Sequence, residues 1–398
     1  MKTSGKSGNR AMNALTSVVL LDSIGYALIL PLLPFILEAH DAGALTGGLL
    51  TAAYAFMAAI SAPLLGVLSD RFGRRPVILL PLFGRVLAHI LFAFSGTLAS
   101  LFLSRLLAGA MAGSTGVVQA AVADASPGAK RGKAMAMLSA AWALGFVMGP
   151  AIGAMLPHDM DYIAFWPGIL AALASGAAFI SVAGLYGTEK IPGAAQSGET
   201  DAGGPAGPCP WSRHELLGLF GATAMIQTGL VAMTGFWVSH TFGWNAARVS
   251  ILFLWAALFT VGVQIALLPK LIDRFDEGIL LLGGVLVTFL AAAVFLIFPQ
   301  SALVLIITSP VLLGGITTIQ TLCTTLLSRL SADHSRGALL GYANSAAAIG
   351  RVIGPALCGL LFAKIHPTAP YWLVAVLTGA GFTWLAARRV RAGRHASA

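Results

Sequence analysis

The chain has 398 residues, of which 57% are hydrophobic and only 10% charged, with a mean hydropathy of +0.85. A soluble protein carries about 25% charged residues, so the composition argues against a water-facing globular surface and for lipid as the solvent. The net charge of +9 raises nucleic acid as a partner, but its distribution along the chain assigns it to a membrane surface instead.

The N-terminus reads "MKTSGKSGNR" and then turns apolar as far as about residue 37. That run is longer than a signal-peptide core and has no early small-residue cleavage site, so it is read as a retained first span. A spanning helix needs about 20 mostly apolar residues. Segments of that kind are expected at 12–37, 45–68, 77–95, 98–123, 133–156 and 162–186. Six more are expected at 215–240, 247–271, 278–298, 301–329, 337–363 and 370–388. Between the two sets lies "GTEKIPGAAQSGETDAGGPAGPCPWSRHE", rich in Gly, Pro and acidic residues with little to bury. It reads as a flexible linker. The expected organisation is an N-terminus at 1–11, a six-helix bundle at 12–186, a linker at 187–214, a second bundle at 215–388 and a tail at 389–398.

Placing the N-terminus on the cytoplasmic side puts nearly all of the 24 Lys and Arg residues in cytoplasmic segments, as the positive-inside rule requires. The exceptions are Arg85, Arg105 and Arg351 inside spans, and Arg248 and Lys364 outside. Both termini are then cytoplasmic, the basic excess faces anionic lipid, and no nucleic-acid partner is implied. Three cysteines (Cys209, Cys323 and Cys358) are too few and too scattered for a disulfide framework or a metal cluster.

The halves repeat. "LGFVMGPAIG" at 144–153 matches "IGRVIGPALC" at 349–358, so that Gly145, Gly149 and Pro150 fall on Gly350, Gly354 and Pro355. Arg131-Gly132 falls on Arg336-Gly337 at the same offset. "SDRFG" from Ser69 matches "IDRFD" from Ile272 at nearly that offset. A repeat that spans six helices keeps both copies in one orientation, which makes it parallel, about an axis normal to the membrane.

"GVLSDRFGRRPVILL", between the second and third spans, resembles the loop signature of the major facilitator superfamily: Gly66, Asp70, Arg71, Gly73, Arg74 and Arg75 match it throughout. Physically, Gly66 is expected to allow close helix approach and Gly73 a tight turn. Asp70 suits the positive end of a helix. The plain alternative is ordinary loop charge. "RLLAGAMAGSTG" places Arg105 in the fourth span before small residues at four-residue spacing. "GFVMGPAIG", with Gly145, Gly149, Pro150 and Gly153, is similar to the fifth-span signature of drug/proton antiporters, where Pro150 bends the helix. "LLDSIGYALILPLLP" resembles the first span of the tetracycline/proton antiporter group. The resemblance covers most of the N-terminal half and is patchy beyond residue 250. It implies that Arg74 pairs with an acid at the end of the fourth span, here Asp124, as part of a cytoplasmic gate. The group's acidic residue in the third span is replaced here by Ala88, and loosely aligned His and Asp positions fall near Thr260 and Val287. Tetracycline itself is therefore in doubt as the substrate, while the exporter class stands.

Of 15 acidic residues, Asp22 alone lies inside an expected span. At 1.5 Å per residue it sits about 15 Å deep, and an intramembrane carboxylate is by default a proton or ion site. Arg105 is expected as its partner. The alternative is a structural Asp22–Arg105 pair that never titrates. His89 is expected to be hydrogen-bonded. A possible substrate cavity collects Arg85, His89, Gln119, Gln227 and Arg351. Arginines without matching acids point to neutral, zwitterionic or anionic substrates over lipophilic cations.

These readings converge on an all-α integral membrane protein of 12 transmembrane helices in the major facilitator fold. It is expected to exchange protons for a small organic molecule across the bacterial inner membrane, driven by the proton gradient, without cofactor or metal, and to work as a monomer. No GxxxxGK[S/T] loop is present to bind ATP. The alternatives are a proton-coupled importer of a nutrient and an integral membrane enzyme, for which no nucleophile/base pair is visible.

Overall fold

The computed structural model describes residues 3–126, 130–157, 162–186, 211–330 and 336–396. Most of the expected linker, and the side chains of Lys130, Arg131 and Arg336, lie outside the description. Twelve helices among the described residues are long and apolar enough to cross a membrane. They are α1 (Ala11–Glu38), α2 (Ala44–Phe72), α3 (Arg74–Ala93), α4 (Leu98–Asp124), α5 (Lys133–Met155) and α6 (Phe165–Leu185). The second set is α7 (Arg213–Phe242), α8 (Ala246–Ile272), α9 (Glu277–Ile297), α10 (Ala302–Leu327), α11 (Gly341–Lys364) and α12 (Ala369–Arg391). Helix extends beyond the expected limits at both ends of the chain, back to Thr3 and on to Ala396.

Helix ends and breaks follow from the residues there. Thr97 and Ser100 form a reciprocal capping box before α4, and Ser212 and Glu215 do the same before α7, satisfying N–H groups that the first turn leaves without partners. Asp276 caps α9 by accepting from the Gly278 and Ile279 N–H groups. α1 tightens to a 3-10 turn at Leu30–Leu32, where Pro31 and Pro34 interrupt its ladder. α8 widens to a π turn at Val263–Leu267 just before Pro269, a local change that absorbs the missing proline N–H. α4 is broken for one residue at Gly113.

Two compact units result. The first is Met1–Gly43 with Ala53–Thr200 and Trp244–Leu254; the second is Ala44–Ala52 with Asp201–Gly243 and Trp255–Ala398. The first unit packs Leu15, Val18, Ile78, Leu82, Val118 and Val122 into one apolar cluster. The second packs Trp211, Leu281, Val285, Ile319, Leu322 and Leu327 into another. Large apolar side chains such as Leu64, Phe83, Ile180, Ile265 and Val376 are exposed, as a lipid-facing surface requires.

Glycines set the helix approaches. A Cβ on Gly145 would strike Ser23 Oγ, and one on Gly149 would lie 2.7 Å from Ala27 Cβ, so α5 seats directly on α1. In the second unit, Gly350 and Gly354 seat α11 on α7, against the Gly221 and Met225 carbonyl oxygens. The matched motifs thus make the same kind of contact in both units, with Pro150 and Pro355 inside their helices. Gly153 is looser, at 3.4 Å from Leu28 Cδ1. One expectation is corrected: a Cβ on Gly66 would meet nothing within 4 Å. The close approach between α2 and α4 is made instead from the α4 side, by Gly109 against the Tyr54 carbonyl and Gly113 against Ala62.

Candidate functional site

Asp22 sits on α1 of the first unit, its side chain 26% exposed, and forms an ion pair with Arg85 of α3, whose side chain is 4% exposed. This corrects the expected Asp22–Arg105 pair. The reason is depth. Asp22 lies as far from the start of α1 as Arg85 lies from the start of α3, and α1 and α3 run the same way. Arg85 Nη2 also donates to the Met111 carbonyl (3.1 Å) and to Ser114 Oγ (3.3 Å) on either side of the Gly113 break. A guanidinium inside a span needs such partners, and a broken helix supplies a carbonyl that is open to them. Arg85 is therefore not the unmatched cation expected from its position in the sequence.

Arg105 on α4 is 7% exposed and lies 4.3 Å from the centroid of the Phe92 ring, a cation–π contact. Its Nε and Nη2 have no hydrogen-bond partner. His89 lies within electrostatic reach of both Arg85 and Arg105, and its Nδ1 is 3.2 Å from Ser175 Oγ. Around this group runs a row of aromatic rings: Tyr26 lies 5.3 Å from Tyr54 and 5.9 Å from Phe146, and Phe146 stacks on Trp142 at 4.1 Å. Gln119 is exposed and joins none of these contacts.

The loop signature folds into a cluster at one end of the first unit. Gly73 adopts φ +90°, a backbone conformation that favours glycine, and the turn delivers Arg74. Arg74 donates to Ser69 Oγ (2.5 Å), Asp70 Oδ1 (2.8 Å) and Asp124 Oδ2 (3.1 Å), and so ties the ends of α2, α3 and α4 together. Arg75 donates to the Ala183 carbonyl at 2.7 Å, and Arg71 is exposed. Tyr186, just past α6, lies beside the cluster; burial, then the Asp124 charge, push its phenol above the ordinary value, with Arg74 opposing.

The second unit has an end cluster of its own, and the sequence reading missed it. Arg329 pairs with the buried Glu277 at 2.6 Å, Arg388 with Glu215 at 2.7 Å, and Arg389 with Asp276 at 3.1 Å. The offset that carries Gly145 onto Gly350 also carries Asp124 onto Arg329. The slightly shorter offset of the "DRF" match carries Arg74 onto Glu277. The same ion pair is built at the same place in both copies with its polarity reversed. The DRF match was the signal that could have found it.

Inside the second unit the polar groups are uncharged. Gln320 Nε2 donates to Gln227 Oε1 (3.1 Å), and Gln227 Nε2 donates to Thr317 Oγ1 (3.4 Å). Gln264 Nε2 donates to Thr318 Oγ1 (3.4 Å), and Thr321 Oγ1 to Gln264 Oε1 (3.3 Å). The network joins α7, α8 and α10. Arg351 on α11 is exposed and donates from Nε to the Ala347 carbonyl of its own helix at 3.3 Å. No group of three or more metal-ligating side chains occurs among the described residues.

The chain matches the family model described as Major Facilitator Superfamily over residues 15–318 and 217–398. It is 32% identical over 371 residues to the class B tetracycline resistance protein of Escherichia coli, covering 89% of this chain and 88% of that protein. It is 35% identical to the human major facilitator superfamily domain-containing protein 10 over 171 residues, 36% of this chain and 38% of that one. Among solved structures, the human organic anion transporter MFSD10 (TETRAN) aligns with a TM-score of 0.69 at 22% identity, over 95% of this chain and 99% of that one. The nucleoside transporter NupG aligns with a TM-score of 0.75 at 12% identity, over the same shares.

Proposed function

Since this chain belongs to the major facilitator superfamily, and is therefore a multi-pass membrane transporter and not an enzyme, we propose that it is a proton-coupled exporter of a small organic molecule. The observation that carries the reading is the Asp22–Arg85 pair. Asp22 is the one acidic side chain among the described spans that stands away from a helix end, and its partner can hold it ionised until a proton arrives. Export in exchange for protons is the reading favoured by similarity to tetracycline resistance proteins over most of the chain and by the Gly145, Gly149, Pro150 and Gly153 helix.

In this reading the bacterial inner membrane holds the protein as a monomer, with both termini cytoplasmic, where most of the basic residues then lie. Two bundles, 12–186 and 215–388, are joined by the 187–214 linker, and no cofactor takes part. Arg105 adds positive potential to the proton site without touching Asp22. Gly73, Arg74, Arg75, Asp70 and Asp124 act as a cytoplasmic latch.

The test uses inverted membrane vesicles with an imposed pH gradient and the probes tetracycline and ethidium. Gradient-driven uptake of the zwitterionic probe over the cation is expected from the wild type, tetracycline standing for the neutral, zwitterionic or anionic class, and is lost in Asp22→Asn at normal membrane insertion. Full uptake by Asp22→Asn would sink the coupling role, and accumulation only in right-side-out vesicles would establish an importer. For the latch, Asp70→Asn is expected to change labelling of a cysteine introduced beside Asp124; unchanged labelling with unchanged transport counts against it.

A further inference from the structure

We propose that the amides of Gln227, Gln264 and Gln320, with the hydroxyls of Thr317, Thr318 and Thr321, form the substrate-recognising face of the second unit, and that this face takes an uncharged, oxygen-rich surface on which hydroxyl and carbonyl groups alternate. The proposal rests on the transporter reading above and names the substrate class that reading leaves open.

The repeat supplies the first argument. The offset that carries Gly145 onto Gly350 carries Asp22 onto Gln227. Where the first unit has a carboxylate, which can take up a proton, the second has an amide of similar shape, which cannot. The position keeps its polarity and loses its charge, so it serves hydrogen bonding and not proton transfer.

The second argument is incomplete satisfaction. Each amide nitrogen carries two hydrogens, and the network uses one on each of Gln227, Gln264 and Gln320. A second donor remains on each, and Gln320 Oε1 accepts nothing within the network. These groups are half-buried. Lipid gives an amide no partner, so the open donors and acceptor need water or a solute.

The third argument is direction. On α8, Trp255, Leu258, Ile265 and Leu267 are exposed apolar side chains, whereas Gln264, inside the π turn, is only partly exposed. On α10 no residue from 311 to 327 is exposed, although its start bears the exposed Leu303, Ile306 and Ile307. On α10, the amide and hydroxyl face is therefore not a lipid face. Away from helix ends the one charged side chain in the described spans of this unit is Arg351, so recognition here is by neutral donors and acceptors. A glutamine offers one of each, which matches a hydroxyl beside a carbonyl and gains nothing from a lipophilic cation.

The experiment is equilibrium dialysis of the purified full-length protein in detergent, without a gradient. The probes are tetracycline against its 12a-deoxy analogue, and 1,4-dihydroxyanthraquinone against anthraquinone. The oxygen-rich member of each pair is expected to bind more tightly to the wild type. The Gln227→Ala, Gln264→Ala double variant is expected to weaken that member about tenfold, the loss of one or two neutral hydrogen bonds, and to leave the oxygen-poor member unchanged. The single variant Gln264→Ala, checked by its unfolding midpoint, separates lost recognition from lost folding. Failure of the wild type to bind either oxygen-rich probe, equal binding within both pairs, or wild-type affinity in the double variant overturns the proposal. Expected binding without proton-driven flux in vesicles would sink the export reading and leave this one standing.

Discussion

The two units are copies of one design that have divided its chemistry. The first holds its charges in the interior: Asp22 against Arg85, with Arg105 over Phe92. The second holds neutral amides there, with Gln227 in the place of Asp22. At the helix ends both keep a buried or half-buried ion pair, Arg74–Asp124 in one and Glu277–Arg329 in the other, with reversed sign. Duplication preserved where polarity is needed, and each copy then set which polarity it is. A charge inside a span is costly unless paired, whereas an amide is merely selective, so the two interiors differ in what they can lose.

The sharpest way to break that comparison is at the interior pair. Arg85→Ala leaves Asp22 without its ion-pair partner and is expected to destabilise the protein by about 3–5 kcal/mol, measured by thermal unfolding in detergent. Adding Asp22→Asn should recover most of that. Gln227→Leu, at the equivalent place, is expected to cost no more than about 1–2 kcal/mol. Equal losses from Arg85→Ala and Gln227→Leu would erase the distinction between the units.

Next in size are the end clusters. Glu277 is 6% exposed, and its Oε2 has no hydrogen-bond partner, so Arg329→Ala strands a buried carboxylate at a cost of about 3 kcal/mol. Reversing the first unit's pair, Arg74→Glu with Asp124→Arg, should be tolerated better than either single change, because the second copy already carries that polarity. Expression level and unfolding midpoint of the three variants decide it.

Glycine substitutions sharpen the comparison at the level of packing. Gly149→Ala and Gly354→Ala should each cost about 1–3 kcal/mol through overpacking, in step with one another, since each seats a helix on its neighbour. Gly66→Ala should change the midpoint hardly at all. The smallest effect is expected from Asp70→Asn. That side chain is 69% exposed, and an exposed ion pair is worth about 0–1 kcal/mol; its consequence belongs to labelling and transport.

Much of this was legible before any coordinates. The twelve apolar runs correspond to twelve helices among the described residues, because lipid forces backbone groups to pair within each segment. The glycine and proline motifs matched because close approach tolerates no Cβ. The expected partner of Asp22 differs from the observed one because Arg105 lies at another depth in its span. Counting from the starts of α1 and α3 would have singled out Arg85 over Arg105. Gly66 was misread for another reason: a small residue permits a close neighbour without requiring one. The pattern "TTIQTLCTT" from Thr317 to Thr325 carried the second unit's polar face in plain view, but only the hydrogen bonds to Gln227 and Gln264 reveal that three helices share it.

The one-residue break in α4 has a mechanical consequence. Arg105 lies on one side of Gly113 and Asp124 on the other, and Gly113 keeps helical dihedrals, φ −61° and ψ −14°, so the two parts of α4 meet in line at a single residue. The Met111 carbonyl at the joint receives the Gly113 N–H, Ser114 Oγ and Arg85 Nη2, so the hinge pin is made of the residue that holds Asp22. Loss of Arg85 is therefore expected to loosen α4 at this joint while the Asp124 end stays held by Arg74.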